Sequence, residues 1–115
     1  CWTRAIAGQL PAALSDCNEA LRLRPGYVNA LDSRGLVYLK LGQPDFAIAD
    51  YNLALRVDSK KASSLYGRGI AKRRKGDATG SGADFAAARA LKPEIAADFA
   101  RYGVGGAPEP VAQRD

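Results

Sequence analysis

Apolar and polar residues recur along this chain at the spacing of a helix surface. Between Val28 and Leu41, apolar Leu31, Tyr38 and Leu41 fall at helical intervals, and Gly42 follows where a helix needs a left-handed C-terminal residue. Pro44 then suits a first helical turn, where the missing N–H costs nothing, and Asp45 suits the positive end of the helix dipole. Phe46, Ile48, Ala49 and Leu53 carry the same pattern on to Val57. Two helices are predicted, and a connection of about two or three residues forces them antiparallel and adjacent. Small residues at Gly35, Ala47 and Ala54 let the two backbones approach closely.

Sliding the chain along itself by 34 residues aligns Gly8, Gly42 and Gly76, then Asp16, Asp50 and Asp84, then Ala20, Ala54 and Ala88. The same offset aligns Cys17, Tyr51 and Phe85, then Leu31, Leu65 and Phe99, then Gly35, Gly69 and Gly103. Coincidences at one offset, spread over residues 1–103, mark an internal repeat of helix hairpins that bury their apolar faces by stacking. The units run over about 1–27, 28–61 and 62–95. A helix from Ile95 to Tyr102, within 95–103, is expected to cap the last apolar face. Gly80-Ser81-Gly82 should make the third unit's second helix start late or fray, because each glycine costs about 1 kcal/mol in a helix interior. Residues 104–115 carry too little apolar surface to order themselves and are expected to form a flexible tail.

Leu31, Gly35, Tyr38, Ala47-x-x-x-Tyr51 and Ala54 in the middle unit resemble the tetratricopeptide repeat, as do Leu65, Gly69, Ser81-x-x-x-Phe85, Ala88 and Pro93 in the third. Ala13-x-x-x-Cys17, Ala20 and Pro25 continue the resemblance into the first unit, which begins partway through its first helix. Ser59 in place of Pro and Lys72 in place of an aromatic depart from the pattern. The resemblance implies an all-α, right-handed solenoid without strands, and a role as a protein–protein interaction module. It also implies that the first helices of successive units line a concave groove that takes up a partner peptide.

Carried over by position, that groove comprises Trp2, Asn29, Asp32, Ser33, Leu36, Lys40, Tyr66, Ile70, Arg73, Arg74 and Arg101. Trp2, Leu36, Tyr66 and Ile70 would form an apolar floor, with Lys40, Arg73, Arg74 and Arg101 as a positive edge, so the expected ligand carries apolar and acidic side chains. Some members hold a chaperone's C-terminal carboxylates in a clamp of Lys, Asn and Arg. Trp2, Ser33, Ser63 and Gly67 stand at the matching positions here and supply neither the Asn nor the cations, so that ligand is not expected.

Composition narrows the alternatives. A length of 115 residues with 47% apolar and 25% charged residues suits one globular domain. Histidine is absent, which removes the commonest general base and metal ligand, so neither an enzyme, a metal nor a cofactor is expected. No apolar stretch reaches membrane-spanning length, and a soluble, cytoplasmic setting is favoured. The chain contains no Met, so residue 1 is expected to be internal to a longer or processed product.

Cys1 and Cys17 would lie at facing levels of the first hairpin, within disulfide reach. Two buried thiols are nevertheless favoured, because disulfides are scarce in intracellular repeat proteins. Arg34 and Arg68 share one register position near the Asp50 and Asp84 levels, which predicts a repeated Arg–Asp tie between helices. The incomplete first unit should leave Leu14 and Leu21 poorly covered and favour weak self-association.

The net charge of +5 comes from one region. Residues 56–75 hold Arg56, Lys60, Lys61, Arg68, Lys72, Arg73, Arg74 and Lys75 against Asp58 alone. Binding of nucleic acid or another anionic surface through 56–75 is the alternative reading. It ranks second because residues 72–75 do not share a helix face and no aromatics are interleaved for base stacking.

Overall fold

The computed structural model describes residues 1–104. Among them the chain forms seven α-helices and no strand: α1 Trp2–Ile6, α2 Leu10–Leu23, α3 Val28–Lys40, α4 Pro44–Val57, α5 Ala62–Arg74, α6 Ala78–Leu91 and α7 Ile95–Arg101. None of these helices is long and apolar enough to cross a membrane. The expected tail lies outside the described residues except for Val104, which is buried rather than flexible surface.

Each hairpin turns on a glycine that no other residue replaces without strain. Gly8, Gly42 and Gly76 have φ of 80°, 73° and 86°, the left-handed conformation that ends a helix and reverses the chain. Within hairpins the pairing is antiparallel: Arg34 meets Asp50 while Tyr38, one turn on, meets Phe46 one turn back. Between hairpins α1, α3 and α5 run side by side and parallel. Contacts such as Lys40 to Ala5, Ser63 to Asp32 and Arg74 to Leu39 all step by about one repeat. Helices α2, α4 and α6 pack behind this row.

Glycines set the spacing between the helices. A Cβ on Gly35 would lie 2.6 Å from the Tyr51 ring, and one on Gly67 would lie 2.3 Å from it. The ring from α4 is therefore seated between α3 and α5 at the two points where neither has a side chain. Phe85 repeats the arrangement against Gly69, where a Cβ would approach to 2.8 Å. Both aromatics are almost fully buried, as are Ala47, Ala54 and Ala88, whose small side chains permit the contact.

The predicted Arg–Asp tie is present twice. Arg34 donates from Nε and Nη2 to the two Asp50 oxygens at 2.7 Å, and Arg68 does the same to Asp84 at 2.8 Å. The remaining guanidinium nitrogen of each reaches the second helix of the preceding hairpin, at Asn18 and Asn52 respectively.

Three expectations need correction. Helix α6 does not start late: it begins at Ala78, because the Asp77 carboxylate accepts the Gly80 N–H at 2.8 Å and offsets the glycine cost. Cys1 and Cys17 are not thiols but a disulfide, with Cα atoms 5.1 Å apart; the hairpin holds them opposite one another. Leu21 is not left uncovered. It is 8% exposed and packs with Ala30, Leu31 and Ala54, whereas Leu14 is half-buried and keeps part of its surface.

Candidate functional site

The face made by α1, α3 and α5 is where the sequence places a binding groove; α7 packs on α5 and α6, and the residues that follow it reach α1 and α3. Phe99 packs on Tyr66 with ring centroids 4.8 Å apart, and Tyr102 reaches Trp2 of α1 at 4.9 Å. Gly103 lies close to the Lys40 ammonium of α3. The end of the last helix thus touches the first and second members of the row. Ile95, Phe99 and Val104 join one core cluster with Leu36, Tyr66 and Ile70.

This corrects the apolar floor. Leu36, Tyr66 and Ile70 are at most 1% exposed, because α7 and the neighbouring helices cover them, and only Trp2 of the four retains access. Three of the four cations of the positive edge make bonds within the fold, although Arg74 and Arg101 stay exposed. Lys40 donates to the carbonyls of Ala5 and Ile6 at 2.8 and 3.2 Å, and Arg74 donates to the carbonyl of Leu39 at 2.7 Å. The two cations are one repeat apart, and each closes the C-terminal end of the preceding parallel helix, where carbonyls lack intrahelical donors. Arg101 is bound to Asp98. Arg73 is half-buried and does not line the open part of the face.

What stays open is a cleft of about 680 Å3 at the N-terminal ends of α3 and α5. Trp2, Ile95 and Tyr102 form one wall. Asn29, Asp32, Ser33, Lys61 and Ser63 supply the polar wall, with Asp16, Asp58, Lys60 and Lys92 among the remaining lining residues. Of the sequence-derived positions the structure therefore brings together Trp2, Asn29, Asp32 and Ser33.

The polar wall is organised around Asp32. Its carboxylate is buried and accepts hydrogen bonds from Ser63 at 3.0 Å and Ser64 at 2.6 Å. Burial raises its pKa, and the two hydroxyls with the nearby Lys61 charge recover only part of that shift. Lys61 itself donates to Asn29 at 3.2 Å. Lys92 lies 2.6 Å from Asp98 and ties the connection before α7 to the middle of that helix.

Lys61, Lys92, Ile95 and Tyr102 were not selected from the sequence as site residues. The repeat itself carried the signal: Tyr27, Lys61 and Ile95 share one register position, Asn29 and Ser63 another, and all five line the cleft.

The basic region 56–75 is largely engaged within the fold. Arg68 and Lys72 meet Asp84, Lys75 meets Asp45, Lys61 meets Asn29 and Arg74 meets a carbonyl. These bonds tie five of the region's eight cations to local partners, Arg68 and Lys72 sharing Asp84. No family model matches the chain, and no curated protein matches it.

Proposed function

We propose that the chain is a tetratricopeptide-like solenoid acting as a protein–protein interaction module, and that it takes up a peptide segment of a partner in the cleft beside Trp2. One observation carries this reading: an open cleft of about 680 Å3 lined by aromatic and apolar side chains together with hydroxyl, amide, carboxylate and ammonium groups. Such a pairing buries an apolar side chain on one side and orients a peptide through polar groups on the other. Lys60 and Lys61 can take an acidic residue next to the apolar anchor, and Asp16 and Asp58 in the same lining a basic one. The 34-residue repeat and the parallel row of α1, α3 and α5 supply the scaffold for such a face.

The test is an array of peptides that combine apolar and acidic side chains, read through the fluorescence of Trp2, the chain's single tryptophan. Saturable binding that Lys61→Glu weakens at least several-fold, without loss of helicity, supports the reading. Binding indifferent to Lys61 and silent at Trp2 opposes it.

A further inference from the structure

Helix α7 is built like a ligand for the face that it covers. Its buried residues Ile95, Asp98 and Phe99, with half-buried Tyr102, follow the i, i+3, i+4, i+7 spacing of one helix side. Ala96, Ala97, Ala100 and Arg101 are exposed on the other. The buried side carries two aromatic anchors, Phe99 on Tyr66 and Tyr102 on Trp2, and one carboxylate, Asp98, held by Lys92. Lys92 belongs to the connection before α7 and also lines the open cleft. It would therefore remain beside the face, with its charge available, if α7 left.

We infer that α7 is an intramolecular occupant of the binding face, and that the partner is an amphipathic helix of the same chemistry: an apolar residue at i, an acid at i+3 and aromatics at i+4 and i+7. This rests on the protein-interaction reading but places the partner at the seat of α7, whose Ile95 and Tyr102 otherwise line the cleft. The partner exchanges for α7, places its aromatics over Tyr66 and against Trp2, and gives its carboxylate to Lys92. Because α7 is tethered by three residues, Lys92 to Glu94, its local concentration is in the millimolar range or above. A partner must outcompete that, so the undisturbed chain binds weakly and loosening α7 strengthens binding.

The probe is a synthetic peptide with the sequence of residues 94–104, titrated into the full chain, into Phe99→Ala and into the milder Tyr102→Ala, with a scrambled peptide alongside. The expected result is binding roughly tenfold or more tighter to Phe99→Ala than to the unmodified chain, a smaller gain for Tyr102→Ala, and none for the scrambled peptide. Equal or weaker binding to both variants overturns the inference. Hydrogen exchange on the unmodified chain supplies a readout that needs no variant. The amides of α7 should exchange faster than those of α3 and α5, and exchange only on global unfolding would overturn the inference.

The peptide array separates the two levels. An array peptide that binds while α7 keeps its protection leaves the module reading standing and removes this one. Silence from both the array and the 94–104 peptide removes both.

Discussion

Trp2 and Tyr102 meet edge to face, with ring planes at 83° and centroids 4.9 Å apart. The contact joins the first helix to the residue that ends the last. Aromatic pairs in this geometry are worth about 0.5–1.5 kcal/mol beyond their buried area. Tyr102→Ala is therefore expected to cost about 1 kcal/mol and to shift Trp2 emission to the red as the indole gains water. Emission that does not move would show that the two ends of the chain do not meet in solution.

The Arg–Asp ties set a second expectation. Asp84 is buried, and Arg68→Ala would leave its carboxylate with Lys72 as its cation partner among the described residues. Breaking one side of such a pair costs about 3–5 kcal/mol in general, and the remaining lysine places this case at the lower end. Arg4→Ala removes a pair whose side chains are 50% and 42% exposed and should leave a denaturant melt unchanged within error. Equal losses for the two variants would contradict the assignment.

Gly67 and Gly82 should respond to alanine with opposite signs. At Gly67 the new methyl group meets the Tyr51 ring at 2.3 Å, and overpacking of this kind costs about 1–3 kcal/mol. At Gly82, within α6, nothing lies within 4 Å of the new Cβ, so helix propensity alone predicts a gain of up to about 1 kcal/mol. Thermal melts of the two variants check both signs, and Tyr51→Leu should recover part of the Gly67→Ala loss.

Acid should weaken the fold through two carboxylates. Burial pushes Asp84 upward, but hydrogen bonds from Arg68 and Lys72 outweigh it and hold the group below its ordinary range. Asp98 is lowered first by Lys92, against its own burial, with Arg101 adding to the effect. A lowered folded pKa gives stability that is complete above the unfolded value and lost as pH falls through the folded one. Asp32, raised by burial, acts in the opposite sense, and its contribution is lost as pH rises through its raised pKa. Melts between about pH 3 and about pH 7 should show Asp84→Asn flattening the acid limb, whereas Asp32→Asn gains stability relative to the unmodified chain as pH rises. Parallel profiles would contradict these signs.

Local physics made the helices legible before the structure. The positive-φ glycines, Pro44 at a helix start and the Arg34–Asp50 and Arg68–Asp84 register are short-range features that the repeat displays directly. The face of α1, α3 and α5 was less legible, because the repeat alone does not say whether the row of helices stands open. Whether Leu36, Tyr66 and Ile70 face solvent depends on where α7 lies, and that is set by Phe99, Tyr102 and Trp2 meeting across the whole chain. Lys40 and Arg74 misled for a related reason: a cation at a repeated register serves a helix end as readily as a ligand. The disulfide was judged from cellular class, although the hairpin geometry permitted it.

The most direct measurement is chemical-shift mapping of the full chain with a peptide selected from the array. The binding reading predicts that perturbations centre on the Trp2 indole and on the amides of Asn29, Ser33, Lys61 and Ser63, around the cleft. Perturbations confined to the outward surfaces of α2, α4 and α6, or none at saturating peptide, would contradict it.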